Sequence, residues 1–274
     1  MILDGRSIAE QLNMQTKKRV AALSFQPLLI DVLIGSDPAS LSYVKIKQRK
    51  AEACGFAFEL IHLSSDLDTE QVVLEMHRII TKPNLCGLLV QLPLPAHLDE
   101  AKILHAIPHE LDVDVLNENS REAFYANTNA LVPPTAGAIM YIVQSVSESL
   151  HDKQFLVLGQ GELVGKPITH LLKQSGYKVM TADSNTMNVN ELLSNADCII
   201  SGVGKPGLVT GENLTAGCVV IDAGTSEANG AITGDVDFVS VEPFAKYITP
   251  VPGGVGPVTV AKLLENVVVA AEQK

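Results

Sequence analysis

The sequence predicts an α/β protein of two domains, each built around a parallel sheet. Strand-like apolar runs alternate with segments of helical spacing, the rhythm of parallel strands joined by right-handed crossovers. At mid-chain a short apolar run over 155–158 meets Gly159-Gln160-Gly161 and then a helical stretch. The length, 274 residues, is long for one core and comfortable for two.

Each element has a local reason. Residues 7–22 have helical spacing, and 28–34 form an apolar run ending at Gly35. Asp37-Pro38 reads as an N-cap followed by proline at the first helical position, opening a helix to about Cys54. Residues 56–63 are strand-like and 69–81 helical. A further apolar strand over 86–92 is stopped by Pro93-Leu94-Pro95, which cannot continue a central ladder. A helix is expected over about 137–150, linking the two domains. Beyond the glycine turn, a helix over about 164–175 precedes strands at 178–182, 198–201 and 218–222. The chain closes on ITPVPGGVGPVT (248–259) and an apolar helical run over 260–270, with Pro257 placed at the first position of that helix. No internal repeat or low-complexity tract interrupts this order.

Composition narrows the class. Hydrophobic residues make up 46% and charged residues 19%, the balance of a globular protein. A net charge of −11 argues against nucleic acid and anionic membrane surfaces as partners. Cys54, Cys86, Cys198 and Cys218 are widely spaced within or beside apolar runs and read as buried reduced thiols, with no metal site. The N-terminus lacks the apolar core of a signal peptide, and no apolar run is long enough to span a bilayer. The expected location is cytoplasmic.

Strand, Gly-x-Gly, helix is the arrangement in which a tight turn sets pyrophosphate on a helix N-terminus, a Rossmann-like dinucleotide site. Here the spacing is Gly159-x-Gly161-x-x-x-Gly165, one residue longer than the common pattern. Asp183, just past the next strand, is placed to accept hydrogen bonds from ribose hydroxyls, which favours NAD. Nothing cationic stands at Gln160, Gly161, Asp183 or Ser184; only Lys166 and Lys178 are near.

Catalytic candidates lie upstream. Tyr43 and Lys47, four apart, share one helix face, where a phenol beside an ammonium can relay protons. Spacing alone also fits an ordinary solvated face, since Lys45, Arg49 and Lys50 crowd the same helix. Gln91 ends an apolar strand, where α/β sheets place ligand-contacting groups. Asp112 and Asp114 flank Val113, and an extended backbone would set them on one side, where one of them could pair with a cationic ring or accept from amino groups; a solvated acidic loop fits the spacing equally well. Near the C-terminus, the Pro- and Gly-rich loop offers backbone amides to an anionic or carbonyl-bearing ligand.

Together these segments resemble the bifunctional methylenetetrahydrofolate dehydrogenase/methenyltetrahydrofolate cyclohydrolase family over nearly the whole chain. The likeness is carried by Asp4-Gly5, YVKIK (43–47), GLLVQLPLP (87–95), DVD (112–114), VGKP (164–167), SGVGKPG (201–207), GDVDF (234–238) and PVPGGVGPVT (250–259). It implies a folate-binding catalytic domain of residues 1–136 with 257–274, an NAD(P)-binding domain of 137–256, and folate in the cleft between them. By matching motif, Lys47 would move the cyclohydrolase proton, Tyr43 would stack near the folate ring, Gln91 would orient Lys47, and Asp114 would hold the pterin. Ser40, Val90, Leu92, Pro93, Pro252, Gly253, Gly254, Val255 and Gly256 would complete the folate pocket. Gly159, Gln160, Gly161, Ser184 and Thr225 fall on cofactor-contact positions. The family default is NADP and a homodimer formed through the cofactor domain.

The departures are local. Where the family usually reads K-D-V-D-G, this chain has Leu111 and Val115 at the ends; P-C-T-P becomes Pro133-Pro134-Thr135-Ala136. Arg-Ser becomes Gln160-Gly161, and a histidine becomes Asp183. The last two weaken the NADP assignment and lean toward relaxed or NAD-favouring use, with NADP kept as the family default. Two other readings compete. One is a shikimate-dehydrogenase-like oxidoreductase, which leaves VQLPLP and PGGVGPVT unexplained. The other is a non-catalytic cofactor-sensing relative, which leaves the joint presence of Tyr43, Lys47, Gln91 and Asp114 unexplained.

Overall fold

Three runs rich in Leu, Ile and Val form the first sheet. In the computed structural model, which describes residues 1–150, 152–228 and 231–274, they are β1 (Leu28–Ile34), β2 (Ala57–Leu63) and β3 (Leu85–Val90). All run parallel in the order β2-β1-β3. The chain divides into two compact units, one of residues 11–134 and 260–274, the other of residues 1–10 and 135–259.

In the first of these units, strand alternation splits the sheet into two faces. Ile30, Val32, Leu88 and Val90 pack with Val72, Met76 and Ile79 of α3 (Thr69–Ile79) and with Ile103 and Leu104 of α4 (Glu100–His105). Leu29, Cys86 and Leu89 face the other way, against Ala51 and Cys54 of α2 (Pro38–Cys54) and Leu263, Leu264, Val267 and Val268 of the C-terminal helix. Each fully buried Leu, Ile or Val contributes about 1.5–3 kcal/mol. Helix α2 starts as expected: the Asp37 side chain accepts from Ser40 N at 2.7 Å and Pro38 opens the helix. It ends at Gly55, whose φ of 97° is left-handed. The first helix, α1, is Gly5–Ala21, and α5 is Glu118–Tyr125.

The second unit contains α6 (Pro134–Ser145), β4 (Gln154–Leu158), α7 (Gly165–Gln174), β5 (Lys178–Ala182), α8 (Val189–Ser194), β6 (Cys198–Ser201) and β7 (Val219–Asp222). A short hairpin, β8 (Ser226–Ala228) and β9 (Ala231–Thr233), precedes α9 (Phe238–Val241) and β10 (Tyr247–Ile248), with α10 (Val255–Glu272) last. The main sheet is parallel, ordered β10-β7-β6-β4-β5. From β4 the chain steps to one side for β5 and to the other for β6, so the carboxyl ends of β4 and β6 flank a topological switch point, where such sheets bind ligands.

Several boundaries differ from expectation. Helix α6 runs over 134–145 in place of 137–150, because Pro134, with no N–H to satisfy, serves as its first residue; a 3₁₀ turn, Ser147–Ser149, follows separately. Helix α10 opens at Val255, so Pro257 is its third residue, still within the turn where no intrahelical N–H is needed. Strand β3 stops at Val90, ahead of the cis peptide Leu92-Pro93. The four cysteines are free and buried, and burial raises their thiol pKa values. Among the described residues, no helix is long and apolar enough to cross a membrane.

Candidate active site

Helical period decides which cation of α2 can do chemistry. Ser40, Val44, Ala51 and Cys54 form the stripe that faces the sheet, all buried. Lys47 falls on the same stripe, with its side chain only 13% exposed, while Lys45 and Arg49 point to solvent. The solvated-face reading therefore fails for Lys47. Its Nζ donates to Gln91 Oε1 at 2.9 Å. Gln91 is delivered by the pleat: it continues the alternation Leu89, Gln91 on the α2 side, and its N–H is fixed by Val32 O at 2.9 Å. Its Nε2 donates to Leu92 O at 2.9 Å, leaving the carbonyl end for the ammonium.

A third partner was not among the sequence candidates. Asp31, in the middle of β1 and fully buried, places Oδ2 2.6 Å from Lys47 Nζ. The contact is an ion pair; the directed hydrogen bond of the ammonium goes to Gln91. Asp31 Oδ1 has no hydrogen-bond partner among the described residues. Burial raises the pKa of Asp31, and the Lys47 charge opposes that rise. The signal was in the sequence: LLIDVLI carries an acid inside a seven-residue apolar run, and a buried acid needs a partner.

Asp112 and Asp114 do not lie on an extended backbone as expected. Residues 111–115 are a tight turn, in which Asp112 is buried and accepts from Leu116 N at 3.2 Å and Asn117 N at 2.8 Å. Asp112 is thus committed to its own loop. Asp114 keeps some exposure and lies within electrostatic reach of the lysine. Burial pushes its carboxyl up to about 6; Lys47 opposes the rise, and the negative charges of Asp112 and Asp31 add to it. Val115 occupies left-handed backbone, φ 56°, where the family's glycine would sit freely and a β-branched residue is strained. Leu111, at the family's lysine position, is a core residue.

Of the remaining candidates here, Tyr43 is 45% exposed, one turn before Lys47. Ser40 is buried at the start of α2, and Val90 is buried at the end of β3. Leu92 is half-buried and Pro93 exposed.

In the second unit the glycine turn has the geometry that a dinucleotide cradle requires. Gly159 has φ 84°, and a Cβ there would meet Val203 Cγ2 at 3.0 Å, so the loops after β4 and β6 touch at the switch point. A Cβ on Gly165 would lie 1.9 Å from Gly159 O, so only glycine lets α7 approach the turn. A Cβ on Gly161 would meet nothing, and the first turn of α7 has no side-chain cap. Open space above an uncapped helix N-terminus fits a pyrophosphate. Gln160 Nε2 donates to Gly159 O at 2.8 Å, and Lys166 pairs with Glu162. Asp183 Oδ1 accepts from Asn185 N at 2.9 Å and Thr186 Oγ1 at 3.2 Å, within its own exposed turn. Ser184 and Thr225 are exposed.

Two buried acids explain the SGVGKPG and GDVDF motifs. Asp235 accepts from Ser201 Oγ at 2.6 Å, Val203 N at 2.7 Å and Lys205 N at 2.7 Å. Asp222 accepts from Gly224 N at 2.9 Å, Asp235 N at 3.1 Å and Val236 N at 2.9 Å. In the loop of Pro252, Gly253, Gly254, Val255 and Gly256, a Cβ on Gly5 would lie 1.7 Å from Gly254 O. That approach is the physical reason for Asp4-Gly5.

Comparison with known proteins agrees over the full chain. Residues 3–114 match the tetrahydrofolate dehydrogenase/cyclohydrolase catalytic domain, and 133–274 match the NAD(P)-binding domain of the same family. The bifunctional protein FolD of Staphylococcus epidermidis is 41% identical over 273 residues, covering 98% of this chain and 96% of the relative. The bifunctional FolD methylenetetrahydrofolate dehydrogenase/cyclohydrolase structure from Campylobacter jejuni superposes with a TM-score of 0.95 at 30% identity, covering 100% of this chain and 99% of the other. The Trypanosoma brucei enzyme, solved with NADP and an inhibitor, gives 0.93 at 33% identity, covering 100% and 97%. The chain belongs to the tetrahydrofolate dehydrogenase/cyclohydrolase family.

Proposed function

We infer that this chain oxidises 5,10-methylenetetrahydrofolate to 5,10-methenyltetrahydrofolate and hydrolyses the product to 10-formyltetrahydrofolate. The observation that carries the reading is the ammonium of Lys47, held between Gln91 Oε1 and Asp31 Oδ2 on an otherwise uncharged, buried stripe. In the hydrolytic half, water adds to the methenyl carbon, its proton must leave, and the ring nitrogen must gain one as the ring opens. Lys47 moves that proton, Gln91 orients the ammonium, and Tyr43 stacks near the folate ring. Asp114 accepts from the amino groups of the pterin, Ser40, Val90, Leu92 and Pro93 line the pocket, and the family motif assigns Pro252, Gly253, Gly254, Val255 and Gly256 to substrate binding. The fixed carboxylates also favour the cationic methenyl product over the neutral substrate, which stabilises the charge that develops on oxidation.

A bound nicotinamide dinucleotide would supply the hydride acceptor, and the Gly159–Gly165 turn with the uncapped start of α7 would hold its pyrophosphate. Gly159, Gln160, Gly161, Asp183, Ser184 and Thr225 form the contact set. We assign NAD over NADP, because no arginine follows Arg121 in the sequence and the Lys166 charge is paired with Glu162. By the family resemblance residues 1–136 with 257–274 form the folate domain and 137–256 the cofactor domain, with residues 1–10 packed in the compact unit of 135–259. The protein works in the cytoplasm as a homodimer, and sedimentation at micromolar concentration should return the dimer mass. The direct test of function is spectrophotometric: purified protein with methylenetetrahydrofolate and NAD should show both reduced nicotinamide and methenyl absorbance. Absence of both signals with either cofactor would refute the assignment.

A further inference from the structure

We infer that Asp31 is a positioning residue for Lys47: its carboxylate holds the ammonium against Gln91 and sets the pH range over which Lys47 passes a proton. Three observations carry this. Asp31 is fully buried in mid-strand β1, on the face that otherwise holds Leu29. Its Oδ2 lies 2.6 Å from Nζ, and its Oδ1 has no other hydrogen-bond partner among the described residues, so Lys47 supplies the carboxylate's stabilisation. The strand is central in its sheet, with Asp31 registered against Leu60 on one side and Leu89 on the other, so the carboxylate cannot swing away to solvent. Facing the pair is Asp114, from the turn after α4, with Asp112 behind it and committed to its own loop, and Tyr43 stands one turn back on α2. The site therefore sets one ammonium against two carboxylates, and of the two it is Asp31 that touches it.

The inference rests on the cyclohydrolase reading above, and its test separates the two. Asp31→Asn keeps the shape and removes the charge. Whichever limb of the cyclohydrolase pH profile reports the Lys47 proton should move to lower pH by about one unit, the usual effect of losing an opposite charge at contact distance. A limb that stays put or moves up overturns the inference. Wild-type protein inactive in hydrolysis counts against the function, and a stability cycle then decides the pairing alone. Lys47→Met should lower the Tm by several degrees, because it strands a buried acid. Adding Asp31→Leu to Lys47→Met should restore most of that loss. If the two changes are simply additive in Tm, Asp31 does not hold Lys47. The same cycle decides the question if Asp31→Asn fails to fold.

Discussion

Asp31 and Asp222 are both buried acids on parallel strands, one in each unit, and they are satisfied in opposite ways. Asp222 accepts three backbone N–H bonds, from Gly224, Asp235 and Val236. Among the described residues Asp31 accepts none and faces a single side-chain cation, Lys47. Burial raises the pKa of both, Asp222 to about 6. Backbone donors cannot leave, so Asp222 and its neighbour Asp235 freeze loop shape. An ammonium can give up its proton, so the Asp31 pair is equipped for chemistry. The difference lies in what would move if a proton did.

The largest break in that comparison is Lys47→Ala. It should cut methenyltetrahydrofolate hydrolysis by about 10²–10⁴-fold, the usual worth of a positioned proton-transfer group. Because it strands Asp31, it should also lower the Tm. Wild-type hydrolysis rates in the variant would remove Lys47 from the mechanism.

Next is Asp235→Ala, on the structural side. It leaves two backbone N–H groups and the Ser201 hydroxyl without their acceptor. Each stranded donor costs about 1–3 kcal/mol, and water entering a part-buried loop offsets some of it, so a loss of about 3 kcal/mol is expected in urea unfolding. A change under about 1 kcal/mol would mean that the loops hold their shape without the acid.

A smaller effect is a pH dependence. Asp114 is raised to about 6 from an ordinary 3.8. The sign for stability follows: the folded state keeps the proton longer than the unfolded one, so ionising Asp114 lowers stability as pH rises from about 4 through 6. Folate binding runs the other way, since accepting from pterin amino groups needs the carboxylate. KM for methylenetetrahydrofolate should rise about tenfold per unit as pH falls below about 6. Asp114→Asn should flatten that dependence, and a steep rise surviving in the variant would assign it to another group.

What the sequence made legible follows from how local each feature is. Asp37-Pro38 fixed the start of α2, and the β4–glycine–α7 order the dinucleotide turn, because caps and turns are decided within a few residues. Gln91 was legible from its place at a strand's carboxyl end. Asp31 was not, because its apolar run was read for period while the partner that justifies it lies on another element. The 112–114 turn was missed for a related reason: alternation presumes extended backbone, and Val115 at positive φ turns the chain. That conformation explains the family's glycine there, and nothing local in Val115 announces it.

The finest distinction is the cofactor, where a loop acid meets or misses a ribose. A 2′-phosphate carries close to two negative charges and needs cations or several donors. Near the loop after β5, Lys166 is paired with Glu162, and Gln160 turns its amide to Gly159 O. Asp183 is exposed and spends its Oδ1 on Asn185 N and Thr186 Oγ1, which pins its carboxylate close to the expected ribose position. A fixed negative charge there disfavours NADP and leaves NAD unaffected. Asp183→Ser retains a short polar side chain for the turn and removes the charge. At an exposed site, with screening, the gain should be modest, about threefold to tenfold in kcat/KM for NADP relative to NAD. The measurement is the ratio of the two kcat/KM values in wild type and variant at one ionic strength, repeated at higher salt, where a charge effect should shrink. If the ratio is unchanged at low salt, the Asp183 charge is directed away from the 2′ position and the NAD assignment loses its main electrostatic support.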